Sequence, residues 1–232
     1  MNYDAAWLIA RETHKRAMLS YVAAGGVKSI NQFDRQLWTT ARAFFTDEID
    51  AFGFIDAYTA AIDNQLTRAW NDGAREVGVD PREFEDIDLS KLQLLIQNEN
   101  EHILDLAQAI EDARNSGMTD AEFRGEFRAR IDLWVNRYNE VANDARIYFG
   151  GREKLEWILG ATEQHCITCA RLSGIVAYAS EWETSGIKPQ NPPNPILECG
   201  GWRCDCQLAP TTRRKTPDAL GRLLDIAASM NL

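Results

Sequence analysis

Five cysteines are the residues of this chain best suited to chemistry, and all of them lie in its last third. Cys166 and Cys169 sit in QHCITC; Cys199, Cys204 and Cys206 sit in CGGWRCDC. Two thiols separated by two residues can close onto one tetrahedral ion while nearby backbone N–H groups satisfy the sulfurs. Two ligands from each cluster would complete a sulfur-rich tetrahedral site. Zinc is the first choice for such a site and an iron–sulfur centre the second. The ion would clamp both ends of the intervening stretch, whose SGIKPQNPPNPI run is too rich in Pro, Asn and Gly for a regular element.

Five sulfurs compete for four positions. In extended chain, residues i and i+2 face opposite ways, so Cys204 and Cys206 are not expected to bind one ion together. Gly200 and Gly201 allow Cys199 to turn back beside one of that pair. The expected ligands are therefore four of the five, Cys166, Cys169, Cys199, Cys204 and Cys206, with Cys204 favoured over Cys206. His165 reads as a neighbour of the first pair, and His14 and His102 as surface or packed helix residues. An all-cysteine site leaves no open position for water. Glu198 and Asp205 form no recognisable acid–base arrangement with it, and the chain has no glycine-rich phosphate loop, HExxH or GxSxG. The metal is expected to be structural, and no catalytic residue is assigned. A zinc-containing nuclease or peptidase in an unrecognised fold is the alternative.

The elements that must hold these cysteines are mostly helical. In 232 residues, 45% are hydrophobic and 26% charged, as in a folded chain with one substantial core or two small ones. Residues 3 to about 24 have helical spacing and end at Gly25-Gly26. Further helices are expected over about 31–45 and 46–73. The second carries Ile49, Phe52, Ile55, Tyr58, Ile62, Leu66 and Trp70 on one face. VGVDPREFEDID interrupts as a loop or hinge.

Beyond it Leu89, Leu92, Ile96, Glu99, Ile103, Leu106 and Ile110 mark one long helix, with Glu99 as the polar intrusion. Phe127, Ile131, Trp134, Tyr138, Val141, Ala145 and Tyr148 mark another. Gly117 and the Thr119–Glu122 capping box separate the two, which predicts a long antiparallel helical hairpin. KLEWIL then reads as a short helix or strand and IVAYAS as a strand. The fold class expected is mainly α: an N-terminal helical region (1–80), the hairpin (88–150), a small irregular α+β metal-stapled region (151–212), and a tail or short helix (213–232).

Net charge is −10, which repels nucleic acid at long range. The weak candidates for a basic contact are Arg213, Arg214 and Lys215, followed by Arg222; a solvated tail is the simpler reading. The chain shows no secretory signal and no run near the roughly 18 apolar residues a bilayer requires. Action in the cytoplasm, or in a particle assembled there, is expected, with no membrane partner. In that reducing setting clustered cysteines point to metal before disulfides.

The run RYNEVANDARIYFGGREKLEWILGATEQHCITCARLSGIVA, followed after a Pro-rich loop by WRCDC, resembles the C-terminal domain of the phage head morphogenesis (minor head protein, Mu protein F-like) family. The likeness covers about residues 128–210. The family's helix element falls on Arg137, Asn143, Ala145 and Arg146, and its tryptophan on Trp157. Its first knuckle falls on Cys166 and Cys169, its Leu-x-Gly step on Leu172 and Gly174, its Pro-Pro on Pro192 and Pro193, and its closing pair on Cys204 and Cys206. Two features depart from the pattern. Thr162-Glu163-Gln164 replaces an acidic turn, and the family histidine falls on Gly201, with Cys199 two positions earlier as the substitute.

The resemblance implies a minor capsid protein of a tailed-phage or prophage head. It would carry a structural zinc and contact the portal, major capsid or scaffold protein in a procapsid or virion assembled in the host cytoplasm. A nucleic-acid-binding module is a further alternative; direct DNA binding is not expected outside a capsid.

Overall fold

The computed structural model describes residues 30–160, 165–201 and 205–230. The expected helix over residues 3–24 lies outside them, as does Cys204. The described chain is mainly helical, with one small open sheet. Its order is α1 (Ile30–Phe45), α2 (Ala51–Glu76), a 3-10 turn (Pro81–Glu83), α3 (Asp86–Asn115), α4 (Asp120–Gly150), β1 (Lys154–Ile158), α5 (Ile167–Leu172), β2 (Val176–Tyr178), α6 (Ala179–Ser185), β3 (Gln207–Pro210) and α7 (Ala219–Met230). Two compact units form, Met1–Leu66 with Gln93–Val135 and Thr67–Leu92 with Asn136–Leu232.

In the first unit the core is aromatic. Phe45 stacks on Phe123 at 4.2 Å, Phe123 on Phe127 at 4.8 Å and Phe44 on Phe54 at 4.9 Å, while Tyr58 meets Trp134 edge-on. The buried face of α2 begins at Phe54 and continues through Tyr58, Ile62 and Leu66; Phe52 is 61% exposed. The 3.6-residue period admits both stripes, and α1 packs on the one containing Phe54. Leu89 is likewise exposed, so the seam of α3 starts at Leu92, and Glu99 is buried within that seam. The α3–α4 connection follows its sequence signals. Gly117 has φ +76, Met118 N–H donates to Ala113 O, and Thr119 and Glu122 exchange hydrogen bonds as a capping box.

Asp63 lies in this core at 1% exposure, and burial pushes its pKa up to about 7. The unfolded chain releases this proton near its ordinary value of 3.8, whereas the folded chain keeps it until about pH 7. Asp63 therefore leaves stability intact below about pH 4 and subtracts progressively as pH rises through 7. Asp63→Asn should remove that pH dependence and raise unfolding free energy at pH 8 by about 4 kcal/mol. Urea melts of both proteins at pH 5 and pH 8 measure it; an equal response to pH in the two would refute it.

The second unit contains the sheet. Its strand order is β2-β1-β3, antiparallel throughout, with Leu155 opposite Ala177 and Trp157 opposite Leu208. KLEWI is thus a strand, and of IVAYAS only Val176–Tyr178 is strand before α6 begins. Leu155 and Trp157 face a core that includes Trp182, Leu172, Leu197, Leu208 and Leu223, and Trp182 Nε1 donates to Leu155 O. The segment between α6 and β3 holds neither helix nor strand in its described part. The C-terminal stretch is a helix, α7, which contacts α5, α6 and β2.

The same unit joins α2, α3 and α4. Tyr138 donates to Asp72 at 2.6 Å, Tyr148 to Asp88 at 2.9 Å, and Phe84 stacks on Phe149. Gly73 lies against the backbone of α4: a Cβ there would stand 2.4 Å from Ala142 O and 2.8 Å from Ala145 Cβ. Only glycine permits that approach.

Candidate metal centre

Cys166 is the N-cap of α5. Its extended backbone turns the sulfur back over the helix start, where it accepts the Cys169 N–H at 3.3 Å. This is the local reason for the two-residue spacing: one helical turn brings the second thiol beneath the first. The other half of the cluster comes from the CGG turn. Gly200 and Gly201 have φ +62 and +80, values that favour glycine, and they fold the chain so that the Gly201 N–H points at the Cys199 sulfur. Cys199 N–H in turn points at Cys166.

Glu198 holds the two halves together. Its carboxylate accepts the Ile167 N–H at 2.7 Å, and its own N–H donates to Thr168 Oγ1 at 3.2 Å. These contacts were not legible from the sequence, where Glu198 had no arrangement; its position beside Cys199 was the one available signal.

The sulfurs of Cys166, Cys169 and Cys199 consequently lie within 4.8 Å of one another. Tetrahedral thiolates at a zinc–sulfur distance of about 2.3 Å sit about 3.8 Å apart, so small side-chain adjustments would bring these three onto one ion. Their electrostatics suit the task. Burial alone would raise the Cys166 thiol, but N–H donors from Cys169 and Cys199 outweigh it and hold the thiol below its ordinary value. Burial raises Cys199, and the neighbouring Cys166 sulfur adds to that rise. One thiolate is thus favoured and a second like charge beside it is not, a conflict a divalent cation would relieve.

Cys206 lies in the same apolar core as the other three described cysteines. It is 1% exposed in the apolar core and does not belong to the group of three sulfurs. Two side-chain amides line the outer edge of β3 and of the residue before it: Gln190 Nε2 donates to Cys206 O at 2.9 Å and Asn143 Oδ1 accepts the Leu208 N–H at 3.0 Å. A parallel neighbour would offer one donor and one acceptor at those same two positions, so the pair closes the edge as a strand would. Arg146 orients Asn143 at 2.8 Å and reaches Glu76 at 2.5 Å.

The remaining motif residues are structural in placement. Trp157 and Leu172 are fully buried, Gly174 has φ +73, and Arg137 is paired with Glu140. The Pro192–Pro193 bond is cis, and this segment lies against the CGG turn. A Cβ on Gly201 would stand 2.9 Å from Pro192 N, so a histidine could not occupy that position without displacing the loop. Of the basic run, Arg213 pairs with Glu156 and Lys215 with Glu181, and Arg214 is exposed. No helix among the described residues is long and apolar enough to cross a membrane.

Together these features define a mainly helical protein with a small three-stranded sheet and a cluster of three cysteines whose sulfurs are close enough to coordinate a metal. No family model, curated protein or solved structure matches the chain.

Proposed function

We propose that the chain is a structural assembly protein of a tailed-phage or prophage head, with a C-terminal unit stapled by zinc. The observation that carries the metal is the three-sulfur cluster built on two N–H···S turns. Cys166, Cys169 and Cys199 supply three thiolates and Cys204 the fourth, while Cys206 serves the core. Four thiolates fill the coordination shell, so the ion acts by fixing chain geometry. It anchors α5 and the CGG turn to each other. The assembly role draws on the sequence resemblance over residues 128–210, on the −10 charge that favours protein over DNA as partner, and on the packing of the motif residues around the cluster.

Co-expression with the portal, scaffold and capsid proteins of the genome that encodes it should place this chain in procapsids isolated by gradient sedimentation. A chain that stays wholly in the slow fractions while those particles form would overturn the reading.

A further inference from the structure

The second unit carries a cleft of about 450 Å³ on the side of α5 away from its N-cap, between the α5–β2 turn and α7. Arg171 and Arg222 flank it, Ile175 and Ile226 form an apolar floor, and Ser173, Thr216 and Asp225 supply polar groups. Convergent cations are unusual on a chain of net charge −10. Two other cations of this region, Arg213 and Lys215, are neutralised by Glu156 and Glu181, and Lys154 Nζ donates to Thr212 O and Arg213 O. Arg171 and Arg222 make no ion pair among the described residues. Arg171 Nη1 donates to Ser229 Oγ at 2.9 Å, which steadies one nitrogen and leaves the rest of the guanidinium for a ligand. Thr216 Oγ1 accepts the Val176 N–H at 3.0 Å, so its own hydrogen is free to donate elsewhere.

We propose that this cleft binds an extended acidic–aliphatic segment of a protein partner. A carboxylate would lie between Arg171 and Arg222, within reach of the Ser173 hydroxyl, and guanidinium groups match it with paired N–H donors. A neighbouring aliphatic side chain would cover Ile175 and Ile226. Asp225 would accept a peptide N–H, an interaction that a phosphodiester backbone cannot return and that its charge opposes. The aliphatic floor and Asp225 together select a peptide over nucleic acid. The proposal takes from the reading above only that the partner is a protein, and it does not involve the sulfur cluster.

The test uses the full chain and a fluorescein-labelled peptide of alternating leucine and glutamate, with a labelled duplex DNA of equal charge as competitor. Arg171→Glu and Arg222→Glu should each weaken peptide binding about tenfold or more, whereas Arg152→Glu, an exposed cation outside the cleft, should leave it within about twofold. No binding at about 1 mM peptide, or an equal loss in Arg152→Glu, would overturn the proposal. So would DNA that displaces the peptide and binds more tightly through the same two arginines. Near-ultraviolet signal from Trp157 and Trp182 and the zinc content of each sample separate a failed cleft from a failed fold or metal reading.

Discussion

Purified protein is expected to hold close to one zinc per chain after exhaustive desalting, and a strong chelator is expected to collapse the second unit cooperatively. Structural zinc contributes folding free energy directly, on the order of 10 kcal/mol in small zinc-bound peptides, because the site does not exist in the unfolded chain. Here α5 has only six residues and the segment leading to the CGG turn has no regular element, so the ion would add to the Glu198 contacts and the buried Ile187 and Leu197 in ordering that region. Trp157 and Trp182 lie 5.8 Å apart in the adjoining core and report its loss by fluorescence.

The cysteine series sharpens the expectation. Cys166→Ser, Cys169→Ser and Cys199→Ser should each release most of the zinc and lower the melting temperature by ten degrees or so, which corresponds to a few kcal/mol in a unit of this size. Cys206→Ser should keep the metal. It still buries a hydroxyl in an apolar core, at a cost of about 1–3 kcal/mol. Elemental analysis and thermal melts of all four variants decide it. A metal-free, fully folded protein with five titratable thiols would end the metal reading, and zinc loss in Cys206→Ser would reassign the fourth ligand.

Gly73→Ala is expected to be the most damaging single-methyl substitution in the helices. At an exposed helical position alanine would be better than glycine by about 1 kcal/mol. At Gly73 the added carbon would fall 2.4 Å from Ala142 O, and backbone cannot rotate aside as a side chain can. α2 and α4 must separate, and the residue after Ala142 is Asn143, which holds Leu208 N–H at the edge of β3. The expected net cost is about 3 kcal/mol, at the upper end for overpacking. Gly125→Ala, in α4 with nothing within 4 Å, should instead stabilise by about 1 kcal/mol. Chemical denaturation of the pair tests the argument; equal changes in both would show that helix contact plays no part at Gly73.

Local signals were strong wherever one stretch of chain carried the whole instruction. The long helices, the Gly117 turn and the Thr119–Glu122 capping box follow from periodicity and capping, which involve neighbours three or four residues apart. Clustering of sulfur at two points was equally visible, and Cys166 and Cys169 owe their closeness to one helical turn. Where two readings fitted the same period, as at Phe52 and Phe54, spacing could not choose between them. The packing of α1 on α2 chose.

What the sequence determined by itself, then, is the set of helices and the presence of two thiol clusters, because both depend on short-range backbone geometry. Tertiary structure decided the rest. It brought Cys199 to the first pair and buried Cys206 in the core that the cluster adjoins. It set Glu198 across the two halves and closed the β3 edge with Asn143 and Gln190. It neutralised Arg213 and Lys215 with acids 57 and 34 residues earlier in the chain. Each of these depends on residues distant in sequence meeting at close range, and a linear pattern carries no record of which distant partners will meet.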